Sequence, residues 1–185
     1  MPNFFKVISS TDESTTEECS CASFNPESWS NAIFASGFVT ALTASDNNIS
    51  SVCNLGFTKV KSHDLCKNLK GCTEAFVFAV TLGLDAERHL LTLSKTSSSR
   101  HFICDAYYSA LAEAVCDKAE EIIKKSLCCK ARFSPGYGDL PLEMQRDVLN
   151  VLDSVKNAGI TLTDSLLMTP QKSITAILGI TQNLL

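Results

Sequence analysis

The sequence predicts an α+β fold, a mostly antiparallel sheet with helices packed on it. Three observations carry this. Ala75 to Leu82, AFVFAVTL, is continuously apolar and too short for a comfortable helix, which reads as a buried strand. Near the end of the chain Ile174, Ala176 and Leu178 alternate with Thr175, Ile177 and Gly179, as in a strand covered on both faces. The strands are not interleaved regularly with helices, as a doubly wound parallel sheet requires. No GxGxxG follows a strand and there is no Walker loop, which sets a Rossmann-type methyltransferase aside.

Composition bounds the rest. At 185 residues, 45% hydrophobic and 19% charged, the length suits one domain with a sizeable core. The expected division is a segment over 1–60, with one helix and a strand, and a core over 61–185, the two forming one compact unit. A net charge of −4 and a pI near 5.4, with scattered basic residues, argue against nucleic acid as a partner. No cationic segment followed by an apolar run opens the sequence, and no apolar run is long enough for a bilayer. The nine cysteines are therefore expected to be reduced and the protein cytoplasmic, with no membrane partner. None has the paired C-x-x-C spacing of a structural zinc site, including His63, Cys66 and Cys72. Cys128-Cys129 is the pair to watch for redox or metal chemistry, against the simpler reading of buried free thiols.

In order, FFKVI is a short apolar patch, and SSTDESTTEECS reads as loop. Asn25-Pro26 looks like a helix start, with Trp29, Ile33, Phe34, Phe38 and Leu42 on one helical face. Ser51 to Val60 reads as a strand. Ser62 caps a short helix, His63 to Leu69, stopped by Gly71; a surface position is the default for His63. Gly83 turns the chain after the buried strand, and Thr81-Leu82-Gly83 is either a ligand edge or a plain strand-to-helix turn. Asp85 to Leu93 is helical. Ser97 to Lys125 is the longest helix, with an apolar stripe of Ile103, Tyr107, Leu111, Ala114 and Ile122. Glu113, Asp117, Glu120 and Lys124 lie on another face about one turn apart, ordinarily a solvated ridge. Pro141 to Asn157 is an amphipathic helix with Leu142, Val148, Leu149, Leu152 and Val155 inward, ended by Gly159. Ile160 to Met168 and Ser173 to Ile180 read as strands joined around Pro170-Gln171-Lys172. Lys172 and Ser173 there either hold an anion or are two exposed polar loop residues.

The chain is organised around Ala131 to Gln145, ARFSPGYGDLPLEMQ. Pro135 fixes its own φ, and Gly136 and Gly138 can take backbone angles closed to other residues. So sharp a bend exposes backbone N–H groups, and Tyr137, between two glycines, has little bulk shielding its ring. Arg132 offers a flat fork of donors suited to a carboxylate. Pro141 then opens a helix, whose N-terminus favours anions. By spacing alone RxxxGYG is a weak motif, and pairing of Arg132 with a structural carboxylate is the simpler account.

RFSPGYGDLPL, followed by a helix and ITLTDSLLMTPQKSITAILGI, resembles the activation domain of cobalamin-dependent methionine synthase, and more so the free-standing bacterial proteins of that kind. The matching residues are Arg132, Pro135, Gly136, Tyr137, Leu162, Thr163, Ser165, Met168, Pro170 and Ser173. SHDLCKNLKGC, the AVTLG turn and the helix carrying EAVCD extend the likeness from Ser62 to Thr181, roughly two thirds of the chain.

The resemblance implies an S-adenosylmethionine site. Arg132 would hold the methionine carboxylate, and backbone groups of Phe133, Ser134, Pro135, Gly136, Tyr137 and Gly138 would receive the adenosine and amino-acid portions. Tyr137 would border the corrin face. Glu113, aligned with a glutamate of the synthase domain, would offset the ligand's positive charge. The function implied is reductive methylation of oxidised cobalamin. The chain lacks a cobalamin signature of the Asp-x-His-x-x-Gly kind, so the corrinoid would be met on a partner, a methionine synthase without its own activation domain. A flavodoxin or ferredoxin would be the reductant. Two other readings stay open: a corrinoid-protein or S-adenosylmethionine binding or sensing module without methyl transfer, and a scaffold that kept the fold alone.

Overall fold

The computed structural model describes residues 33–40, 42–43 and 52–181. Its centre is a three-stranded antiparallel sheet of β1 (Ile33–Thr40), β5 (Glu74–Thr81) and β8 (Ser173–Ile180), in the order β1-β5-β8. β5 is the strand expected from AFVFAVTL, and its central place explains the unbroken apolar run. It pairs along its whole length on both sides, Ile33 opposite Thr81 and Thr81 opposite Ser173.

Period-two alternation sends successive side chains of β5 to opposite faces. Ala75, Val77 and Ala79 join Ile177 in one core cluster, and Phe76, Phe78 and Val80 join Ala176, Leu178 and Ile180 in another. The first face is covered by α1 (His63–Asn68), α4 (Met144–Val151) and α5 (Ser154–Ala158), through Leu65, Met144, Val148, Leu149 and Ala158. The second is covered by the C-terminal half of α3 (Ser98–Ser126), through Cys116, Ala119 and Ile123. The N-terminal half of α3 packs instead on α2 (Gly83–Thr96), where Ala86, Leu90, Cys104 and Tyr108 form a separate cluster.

After α3 the chain runs back along the open edge of β8. Cys129 bridges Ile180 and Phe133 bridges Ile177, both antiparallel. Four steps on this segment face three on β8, so one residue is looped out, a bulge that re-aims neighbouring side chains. Arg132 stands in this bulged stretch.

Several expectations are corrected. Ile33, Phe34 and Phe38 lie on a strand, not on a helical face, and Leu42 lies in β2 (Leu42–Thr43); Asn25, Pro26 and Trp29 fall outside the described residues. The open edge of β5 offers eight rungs to a segment rich in Phe, Val and Thr, and pairing overrides the helical spacing. Ser51 to Val60 is not one strand but a hairpin of β3 (Val52–Asn54) and β4 (Lys59–Lys61), turned at Gly56 with φ 81°. Ile160 to Met168 is likewise broken into β6 (Thr161–Leu162) and β7 (Met168–Thr169). The helix read over Pro141 to Asn157 starts at Met144 and is split by Asp153, at φ 45°; Leu142 and Val155 are exposed, whereas Val148, Leu149 and Leu152 are buried. Gly159, at φ 64°, ends α5 as expected.

The stripe on α3 is rotated. Ile103, Tyr107 and Ile122 are exposed (Ile103 by 56%), and the buried row is Cys104, Tyr108, Ala112, Cys116, Ala119 and Ile123. One residue is 100° around a helix, and the smaller Ala and Cys side chains let α3 lie close to the sheet. The thiols are also not all free, because Cys53 and Cys66 are joined as a disulfide between β3 and α1.

Candidate functional site

The site is built where α3 faces the bulged edge segment. Glu113, Asp117 and Glu120 are spaced four and three residues apart and share one face of α3. All three reach Arg132. Its Nη2 donates to Glu113 at 2.9 Å and its Nη1 to Glu120 at 3.0 Å, and Nη1 also pairs with Asp117. Glu120 uses its second oxygen on Lys124, at 2.5 Å. The ridge expected to be solvated is thus a clamp on an arginine, and structural carboxylates do pair with Arg132, as its spacing alone suggested.

The members of the clamp differ in exposure. The side chain of Glu120 is 12% accessible and that of Arg132 21%, against 51% for Glu113 and 61% for Asp117. Burial works against the arginine's charge, yet the hydrogen bonds to Asp117 and Glu120 and the surrounding field outweigh it and drive its pKa further up. Three carboxylates against Arg132 and Lys124 leave one negative charge in surplus. Cys116 lies beneath the clamp, and burial pushes its thiol up to about 11, so it stays protonated at neutral pH.

The turn beyond Arg132 is closed on itself. Tyr137 N–H donates to Ser134 O at 3.0 Å, Gly136 N–H to Leu140 O at 3.0 Å, and Leu140 N–H to Tyr137 O at 2.9 Å. These three amides, expected to face outward, are consumed inside the turn. Gly136 and Gly138 take φ of 88° and 53°, where a side chain is strained, and a Cβ on Gly138 would run into Asp64. Pro135 and Ser134 are buried, and Ser134 Oγ has no hydrogen-bond partner among the described residues. Phe133 packs into the α1-side core and meets the half-exposed Tyr137 ring edge-on, at 6.1 Å and 69°.

The anion at a helix N-terminus belongs to the chain itself and sits on α1, not on the helix after Pro141. Asp139 accepts from Ser62 Oγ at 2.5 Å, His63 N–H at 2.6 Å and Asp64 N–H at 3.2 Å. The hydrogen bonds from Ser62 and His63 hold its carboxyl below the usual carboxylate range. Ser62 caps α1 as expected, accepting from Leu65 N–H at 3.0 Å.

Other expected features fall elsewhere. Lys172 is held by Asp105 at 2.7 Å and Ser109 at 2.8 Å, and Ser173 is buried, hydrogen-bonded to Thr81 Oγ1 at 2.7 Å and Pro170 O at 2.6 Å. Neither is an exposed loop residue, and together they tie β8 to β5 and α3. Thr81 Oγ1 also accepts from Gly83 N–H at 3.1 Å, so the Thr81–Gly83 edge serves the turn. Burial raises the thiol pKa of Cys72 and Cys129, and no cluster of three metal-ligating side chains occurs among the described residues. A groove of about 570 Å³, bordered by Lys59, Arg146, Asp147 and Leu166, includes none of the sequence-predicted site residues. The sequence did not set Asp117 and Glu120 against Arg132, nor Asp139 against α1. The i, i+4, i+7 acids on α3 were visible, but what they face was not.

No curated protein matches the chain. Among solved structures, the fold is similar to that described as the crystal structure of the MetH reactivation domain bound to AdoHcy, with 19% identity and a TM-score of 0.52. That match covers 78% of this chain and 49% of the other, so the chain spans about half the length of its structural neighbour. Residues 61–183 match the sequence family described as vitamin B12 dependent methionine synthase, activation domain, and over that stretch, two thirds of its length, the chain belongs to this family.

Proposed function

We propose that this chain binds S-adenosylmethionine at the Arg132 clamp and assists reductive methylation of a corrinoid carried by a separate methionine synthase. The observation that carries the reading is the meeting of Arg132 with Glu113 at 2.9 Å, in a chain of the activation-domain family. The neighbour described as bound to AdoHcy supports the ligand class.

The residues present suit the ligand on two counts. S-adenosylmethionine carries one carboxylate, one ammonium and one sulfonium, a net single positive charge, against the clamp's single surplus negative charge. Ser134 Oγ, buried beside the clamp in sequence and without a partner among the described residues, is a polar atom a ligand can satisfy. Arg132 and Glu113 would hold the amino-acid end. Phe133, Ser134, Pro135, Gly136, Tyr137 and Gly138 would border the adenosine, with Tyr137, already half exposed, toward the corrin. When bound, the sulfonium supplies the methyl group and the reduced corrinoid of the partner the nucleophile. What is asked of this chain is alignment and exclusion of water. A flavodoxin- or ferredoxin-like reductant and a cytoplasmic setting go with this reading.

Two alternatives stand beside this reading: a binding module without methyl transfer, and a scaffold that kept the fold alone, which the engagement of Arg132 by three carboxylates favours. Calorimetric titration of S-adenosylmethionine into the wild type and Arg132→Ala tests the site. A loss of about 2 kcal/mol or more in the variant, the scale of a charge-assisted contact, supports it. Adding a cobalamin-loaded methionine synthase without an activation domain, together with a reductant, separates the two binding readings. Methyl transfer favours assistance, and tight binding without transfer favours the module. No binding with or without the corrinoid partner sinks both.

A further inference from the structure

The clamp holds its arginine with two kinds of acid. Glu120 is nearly buried and uses both oxygens, one on Arg132 and one on Lys124. Asp117 and Glu113 are more than half exposed, and each touches the guanidinium through a single oxygen. Asp117 shares Nη1 with Glu120 and Glu113 sits on Nη2, so an incoming carboxylate meets the two exposed acids first, while Glu120, nearly buried and also tied to Lys124, keeps its place. We propose, on the reading of the clamp as a ligand site, that Asp117 gates Arg132. The ligand's carboxylate displaces it from Nη1, and the released Asp117, with Glu113, then requires a cation from the same ligand.

Charge decides the consequence. A simple carboxylate entering the clamp raises the local surplus from one negative charge to two and leaves Asp117 without a counter-ion beside it. An α-amino acid brings its own ammonium and leaves the surplus at one, and a sulfonium-bearing amino acid cancels it. Like charges within a few ångströms repel even where solvent reaches them, so the gate discriminates by ligand charge. Glu120 remains as the positioning residue that keeps the guanidinium on α3 while the outer partners exchange.

The probes are S-adenosylhomocysteine and its desamino analogue, which share the adenosine and the carboxylate and differ in the ammonium. Binding of both to the full chain is measured by calorimetry for wild type, Asp117→Asn and Asp117→Ala, with Glu121→Gln as a control on the same helix. The wild type is expected to prefer the amino compound by about tenfold or more, the scale of one unscreened like-charge contact. Both Asp117 variants narrow that ratio several-fold, because the desamino analogue gains affinity, and the control leaves it unchanged. Equal ratios in wild type and Asp117 variants overturn the gate while leaving the donor site standing. No binding of either compound to the wild type removes the donor site and the gate together. Asp117 lies exposed on a helix surface, and melting curves of the variants identify any loss of folding.

Discussion

Arg132 and Asp139 stand seven residues apart, at the two ends of one bend, and each is a charge held by opposite partners. Asp139 is an anion set among a hydroxyl and two amides at the start of α1, all three donating to it. Arg132 is a cation set among three carboxylates, more acid than one guanidinium needs. The first arrangement is balanced and fixes a helix to a turn. The second carries surplus charge and two exposed partners, which is what a site that exchanges partners needs. The same stretch of sequence thus contains a lock and a socket, and the difference lies in what faces each charge.

The lock is not only electrostatic. At the far end of α1, Leu69 and Cys72 lie against Gly179 of β8, where an added Cβ would come within 2.9 Å of Leu69 Cδ2 and 2.8 Å of Cys72 Sγ. Gly179→Ala is therefore expected to give the largest loss of stability, about 1–3 kcal/mol, as overpacking does. Urea denaturation measures it. Adding Cys72→Ala should recover part of the loss, and a double variant no better than the sum of the singles would show that the helix is not held there by close approach.

Breaking the socket should cost less in stability and more in binding. Arg132→Ala leaves three carboxylates on one face of α3 with only Lys124 to answer them. Because two of the acids are well exposed, the expected loss is about 1 kcal/mol rather than the larger figure of a buried pair. Salt should shrink it, since what remains is repulsion between exposed charges. A loss that does not change between low salt and half-molar salt would mean that Arg132 contributes by packing rather than by charge.

How much of this was legible follows from where each signal resides. AFVFAVTL announced a central strand because a strand buried on both faces has no polar rungs. Ser62 announced α1 because a cap is written in adjacent residues. The α3 stripe was misread because that helix has apolar residues on two faces, and only the sheet and α2 decide which is inward; Cys104 and Tyr108 are buried against α2, whereas Ile103 and Tyr107 stay exposed. Ile33 to Thr40 was misread because helical spacing inside the segment lost to the edge of β5, eight rungs supplied from elsewhere in the chain. RxxxGYG does form a tight turn, and Glu113 and Arg132, which the resemblance set together, meet at 2.9 Å. The contacts of Asp117, Glu120 and Asp139 were not legible, since their partners come from elsewhere in the fold: Arg132 on the edge segment for the two acids on α3, and the start of α1 for Asp139.

The smallest effect is the one with the clearest sign. Asp139 has a carboxyl pKa lowered in the folded state by Ser62 and the amides of α1. A lowered pKa means that the folded state favours the ionised form, so its contribution is complete above the ordinary carboxylate value of about 3.9. It is lost as pH falls through the lower folded value. Asp139→Asn keeps one acceptor and loses the charge, so it should melt below the wild type at pH 7. The gap should close as pH drops through the acid range, where Asp139 is neutral in both states. Melting curves of the pair from pH 7 down to about 3 follow this directly. A gap that stays constant across that range would assign the hold on α1 to the shape of the acceptor rather than its charge, and the contrast with the surplus charge at Arg132 would then rest on the clamp alone.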